Sequence, residues 1–155
     1  MSYLAVYVTV YEHKGEIYRG YTREFLRHSG IVVDNGDNTF EIFHVTGTPG
    51  IGLTFHRVPN WKDPRQETAR LLSMDFVVWI PKNRYSELES LFRGIEIKVS
   101  KTWNCQNWVQ EGLDAMVAAG LMSEAERDAA VQKQMAAVTG PFTTETPNTQ
   151  ALKDN

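Results

Sequence analysis

The chain has 155 residues, of which 42% are hydrophobic and 23% charged, with 16 basic and 19 acidic side chains and a single cysteine. That length supports one domain with a core of its own. A formal charge of −3 argues against a nucleic-acid partner, and one cysteine excludes an internal disulfide.

No stretch approaches the ~18 consecutive apolar residues of a membrane span. The opening MSYLAVYVTVYEH lacks a positively charged leader, so it is expected to be a strand of a cytoplasmic protein and not a signal peptide. Its strand runs from Ser2 to Tyr11, and residues 12–26 form a polar connection. A strand at Arg27–Asp34, the turn Asn35-Gly36-Asp37-Asn38, and a strand at Thr39–Thr46 predict a hairpin. After the turn Gly47-Thr48-Pro49-Gly50, Ile51–Val58 completes a meander. Pro59–Gln66 is expected to be a loop with a short helix, Met74–Ile80 a strand, Lys82–Phe92 an amphipathic helix, and residues 95–99 a brief strand.

The second half is helical. Trp108, Val109, Leu113, Met116 and Val117 form a stripe ending at Gly120. Ser123 and Glu126 form a capping box that opens a helix over Glu124–Val138, closed by Thr139-Gly140-Pro141. Residues 141–155 are polar and Thr-rich and read as a flexible tail. The pattern predicts an α+β domain over residues 1–140, an antiparallel sheet with helices packed on one side.

Cys105, in KTWNCQNWV, is the residue whose role most needs deciding. A lone cysteine is most often a packing residue. A reactive one needs its pKa lowered by a helix N-terminus or a nearby histidine. Ser100 and Thr102 are candidate N-caps, which places Cys105 in the first helical turn. Four histidines are available. His13 lies in a polar connection, whereas His28, His44 and His56 lie on strands. Alternation puts His28, Gly30 and Val32 on one face, and Phe40, Ile42 and His44 on one face of the partner strand. Whether those faces coincide depends on register. The scattered ligands do not have zinc spacing, and no phosphate loop or cofactor motif is present, because GTPGIG joins two strands.

RHSGIVVD at 27–34, FHVTG at 43–47 and NCQNWV at 104–109 resemble the circularly permuted branch of the NlpC/P60 papain-like superfamily, the lecithin:retinol acyltransferase-like proteins. They are similar also to fungal proteins with an HVTG strand and an NCQxWV helix. The resemblance covers residues 27–118 and departs from the family where its usual His-Trp pair is His28-Ser29. It implies a circularly permuted papain-like fold with Cys105 as nucleophile, His28 as general base and His44 as the orienting third member. Main-chain N–H groups at the helix start would form an oxyanion hole, with Asn104, Gln106 and Trp103 as candidate oxyanion or substrate contacts. The implied activity is a thiol hydrolase or acyltransferase working through a thioester on a small-molecule, peptide or lipid acyl substrate, without a cofactor. Other readings are a non-catalytic scaffold keeping the papain-like shell, a small fungal biosynthetic acyl transferase such as a cyclodipeptide-forming enzyme, and a redox-sensing thiol.

Overall fold

The structure, a computed structural model, describes residues 2–15, 20–66 and 69–141. Five strands follow one another: β1 (Tyr3–Tyr11), β2 (His28–Asp34), β3 (Phe40–Thr48), β4 (Gly52–Trp61) and β5 (Leu71–Pro81). They form one antiparallel sheet in the order β4-β3-β2-β1-β5. The expected meander is therefore β1 to β4, and β5 returns to pair with the free edge of β1. Among the described residues the helices are α1 (Arg23–Leu26), α2 (Glu87–Arg93), α3 (Cys105–Ala118) and α4 (Glu124–Val138).

The alternation that marks each strand also decides which sheet face is covered. Leu4, Val6, Val8, Ile31, Val33, Phe43 and Val45 are buried in one cluster with Trp108, Val109, Leu113 and Met116 of α3. Each such side chain contributes roughly 1.5–3 kcal/mol on leaving water. The helix lies close to the sheet because Gly112 faces Ile31: a Cβ at Gly112 would stand 2.9 Å from Ile31 Cδ1.

Several elements differ from expectation for physical reasons. β4 runs through Pro59 to Trp61, since an edge strand tolerates a residue without an N–H. β5 begins at Leu71, before Met74. The expected helix after Pro81 divides into a 3-10 turn at Lys82–Arg84 and α2. Residues 95–99 make no strand; Ile95 and Ile97 alternate because one side of a loop packs on the core. The polar connection carries α1, capped by Thr22. The capping box of α4 forms as read, with Glu126 N–H on Ser123 and Ser123 N–H on Glu126. Apart from Pro141, the expected tail lies outside the described residues.

Arg27, just before β2, has no solvent exposure. Its guanidinium donates to both carboxylate oxygens of Glu12, at 3.2 and 3.0 Å, and to the carbonyls of Ala137, Val138, Gly140 and Pro141. The last carbonyls of a helix have no partners within it, so Arg27 caps α4 while pairing with β1's continuation. Burial alone would raise the Glu12 carboxyl, but hydrogen bonds from Arg27 and the His13 N–H outweigh it and hold the pKa below the ordinary 4.5.

Replacing Arg27 by Met strands a buried carboxylate and several carbonyls, and is expected to cost about 3–5 kcal/mol in urea unfolding. Glu12 has a depressed folded pKa, so the stability it contributes is present above about pH 4.5 and lost as pH falls through the lower folded value. The urea midpoint should therefore decline on acidification below that point, and this component of the decline should be absent in Arg27→Met.

Candidate active site

The start of α3 is built by the residues around Cys105. Asn104, in an extended conformation, is the N-cap; its side chain accepts from Gln106 N–H at 3.0 Å, while Asn107 accepts from Asn104 N–H at 2.9 Å. Ser100 and Thr102, the expected caps, instead bond each other at 3.0 Å. An amide side chain at position 104 can cap the helix and still use its NH2, which donates to Phe25 O. Gln106 Nε2 donates to Glu24 O at 2.8 Å and Arg27 O at 2.9 Å. The two amides thus bind the main chain between α1 and β2 to the start of α3.

Cys105 occupies a gap in the sheet. The β2–β3 ladder ends at Ile31↔Phe43, although β2 starts three residues earlier at His28. On the edge left open, the Cys105 sulfur accepts from Ser29 N–H at 3.4 Å and points its S–H at Arg27 O, 3.8 Å away. The sulfur replaces the missing strand partner. Burial pushes the thiol up to about 11, even though the N–H groups of Ser29, Gln106 and Cys105 all act to lower it. A helix N-terminus favours the thiolate, but here desolvation wins.

The register brings the two strand histidines together. Val32 pairs with Ile42, so Gly30 lies opposite His44, where a Cβ on Gly30 would be 3.4 Å from His44 Cβ. Glycine at this position makes room for the His44 ring, and His28 Nε2 stands 2.8 Å from His44 Nδ1. His56 is the cross-strand partner of His44, with ring centres 6.2 Å apart. Burial lowers His28 to about 4; burial and then the neighbouring His28 and His56 lower His44 to about 4. Both imidazoles are neutral at pH 7.

These histidines lie on the sheet face opposite α3, because Ser29, Ile31, Phe43 and Val45 turn toward the helices. The sulfur and His28 make no hydrogen bond to each other. They meet at the strand edge, where a cavity of about 390 Å³ is lined by Cys105 and His28 together with Tyr11, Glu12, Thr46 and Asn104. Of the remaining expected contacts, neither Gln106 nor Trp103 lines this cavity. Trp103 is buried, its indole N–H on Glu111 at 2.6 Å, and Trp108 is sealed between Phe55 and Phe92. Trp103 and Gln106 support the loop. Tyr11 and Glu12, by contrast, belong to no sequence motif; only their place at the end of β1, opposite His28, brings them in. Among the described residues no cluster of three or more His, Cys, Asp or Glu could hold a metal ion.

Alkylation of the free protein by iodoacetamide, followed by intact mass, should give a pH–rate midpoint near 11 for Cys105, well above the ~8.5 of a free cysteine. A midpoint at or below the free value would mean that the N–H groups outweigh burial.

Residues 16–123 match a family of unknown function, DUF6540. No curated protein and no solved structure matches the chain. With the match covering more than half of its length, the chain belongs to the DUF6540 family.

Proposed function

We propose that the protein is a cysteine–histidine acyl-transfer enzyme of the circularly permuted papain-like type, a thiol hydrolase or acyltransferase acting on an amide, ester or thioester. The observation that carries this reading is the shared cavity: Cys105 and His28 both line it, while His28 Nε2 is tied to His44. In this reading His28 Nε2–H donates to His44 Nδ1, which leaves the lone pair of His28 on Nδ1. His44 is thereby the positioning residue that sets the tautomer.

The opposing effects of burial make the resting pair a neutral thiol and a neutral imidazole. The thiol proton therefore leaves as the sulfur attacks, not before. The sulfur adds to the carbonyl carbon, its proton passes to His28 Nδ1, and that proton then goes to the departing amine, alcohol or thiol as the carbonyl re-forms. Water or an amine attacks the resulting thioester and restores the thiol. The Ser29 and Cys105 N–H groups, which now face the sulfur, are the donors for the oxyanion. No helix among the described residues is long and apolar enough to cross a membrane; we place the enzyme in the cytoplasm, where a lone thiol stays reduced.

A specific observation favours a second reading, a non-catalytic scaffold. Asn104, Cys105 and Gln106 all hold main-chain groups of residues 24–29, so the motif has a structural use of its own. Incubation with p-nitrophenyl acetate and intact mass separates the two. An acyl adduct is expected on Cys105 and absent in Cys105→Ala, with an unchanged circular dichroism spectrum. His28→Ala should slow acylation by about 10²–10⁴-fold, and His44→Leu should slow it while leaving the fold intact. Equal acylation rates in His28→Ala and the unmodified protein would leave the scaffold reading standing.

A further inference from the structure

Beside the Cys105 cavity lies a larger groove, of about 850 Å³, that shares Pro49 with it. One wall is α1 and the turn before it, where the rings of Tyr21 and Phe25 stack at 5.0 Å and 9°. The other wall is the β3–β4 turn. Gly47 makes that turn possible: its φ is +127°, and a Cβ there would lie 2.1 Å from Gly52 O. The turn raises Pro49, Gly50 and Ile51 beside the groove, and Ile51 is left 82% exposed. A branched aliphatic side chain so open to water is unused apolar surface next to a candidate active site.

The described wall of the groove carries one charged side chain. Among the described residues that line it, Lys101 is the one with a charged side chain, and no described ion pair engages it. Its stem lies over Gly50, where an added Cβ would meet Lys101 Cγ at 3.2 Å. The start of the Lys101 side chain therefore packs on the turn. An apolar trough with one uncompensated ammonium complements an apolar or aromatic body carrying a single carboxylate. One Lys is a point charge and lacks the bidentate geometry by which clustered Arg residues select phosphate. The volume also lies in the range of small-ligand sites, about 300–1,000 Å³.

We propose that this groove binds a monocarboxylate with an apolar or aromatic body, its carboxylate on Lys101 and its body between Ile51 and the Tyr21–Phe25 stack. Within the acyl-transfer reading, on which the orientation rests, this makes the substrate a carbonyl compound of the N-acyl aromatic amino acid class, with its carboxylate held away from the sulfur. Binding itself needs no chemistry at Cys105.

The test uses calorimetric titration of the full chain carrying Cys105→Ala with N-acetylphenylalanine and with its neutral carboxamide. The acid should bind about tenfold more tightly than the amide, the effect of one hydrogen-bonded charge pair. Lys101→Met should abolish that preference, Lys101→Arg should keep most of it, and Ile51→Ser should weaken both ligands. Equal binding of acid and amide, no binding of either, or an acid preference that survives Lys101→Met would overturn the proposal. Failure of p-nitrophenyl acetate to acylate Cys105 in the unmodified protein would overturn the enzymatic reading alone. Acylation without any acid preference would overturn this inference alone.

Discussion

The buried guanidinium of Arg27 is the constraint around which the other parts are placed. Its side chain joins Glu12, after β1, to the carbonyl end of α4. Its own carbonyl receives the Gln106 amide and the Cys105 thiol at the start of α3. A cation is favourable at a helix C-terminus, and a buried one needs every donor used. Both conditions are met by one residue. Because His28 is next in sequence, the pairing that caps α4 also positions the strand end on which the histidine sits. Core stability and site geometry are therefore not separable here.

A second polar network lies beside it. Ser29 donates to Thr9 O, Gln134 donates to Ser29 and to Gln106 O, and Gln110 donates to Gln134. Buried amides and hydroxyls cost free energy unless paired; these are paired with one another and with main chain. They tie α4 to α3 and to the strand edge that the sulfur occupies. The result is a rigid polar floor under a thiol whose charged form is disfavoured by burial. In the proposed enzyme, reactivity then depends on a substrate carbonyl entering the cavity, and the protonated thiol resists oxidation.

Much of the architecture was legible in local patterns. The hairpin at Asn35–Asn38 and the capping box at Ser123 rest on interactions within a few residues, and both appear as read. The errors fall where neighbours distant in sequence intervene. Residues 95–99 alternate because they lie across α3, and Pro59 sits in a strand because that strand is an edge. Trp103, a candidate substrate contact by its place beside Cys105, is core, as is Trp108 of the helical stripe. Tyr21 and Phe25, within a segment whose composition reads as a polar connection, line the open groove instead.

By itself the sequence determined the five strands and the two long helices to within a few residues, the position of Cys105 at the first turn of a helix, and the alternation that puts His28 and His44 on defined strand faces. These follow from capping, periodicity and turn chemistry, which act over short separations. Register was decided only in three dimensions: Ile31 against Phe43 makes the two histidine faces coincide. So was the early end of that ladder, which opens the edge that the sulfur fills. Burial, a property of the assembled layers, then set all three titrating groups neutral. Their charge state depends on how much water the finished fold excludes, and no local pattern of residues carries that quantity.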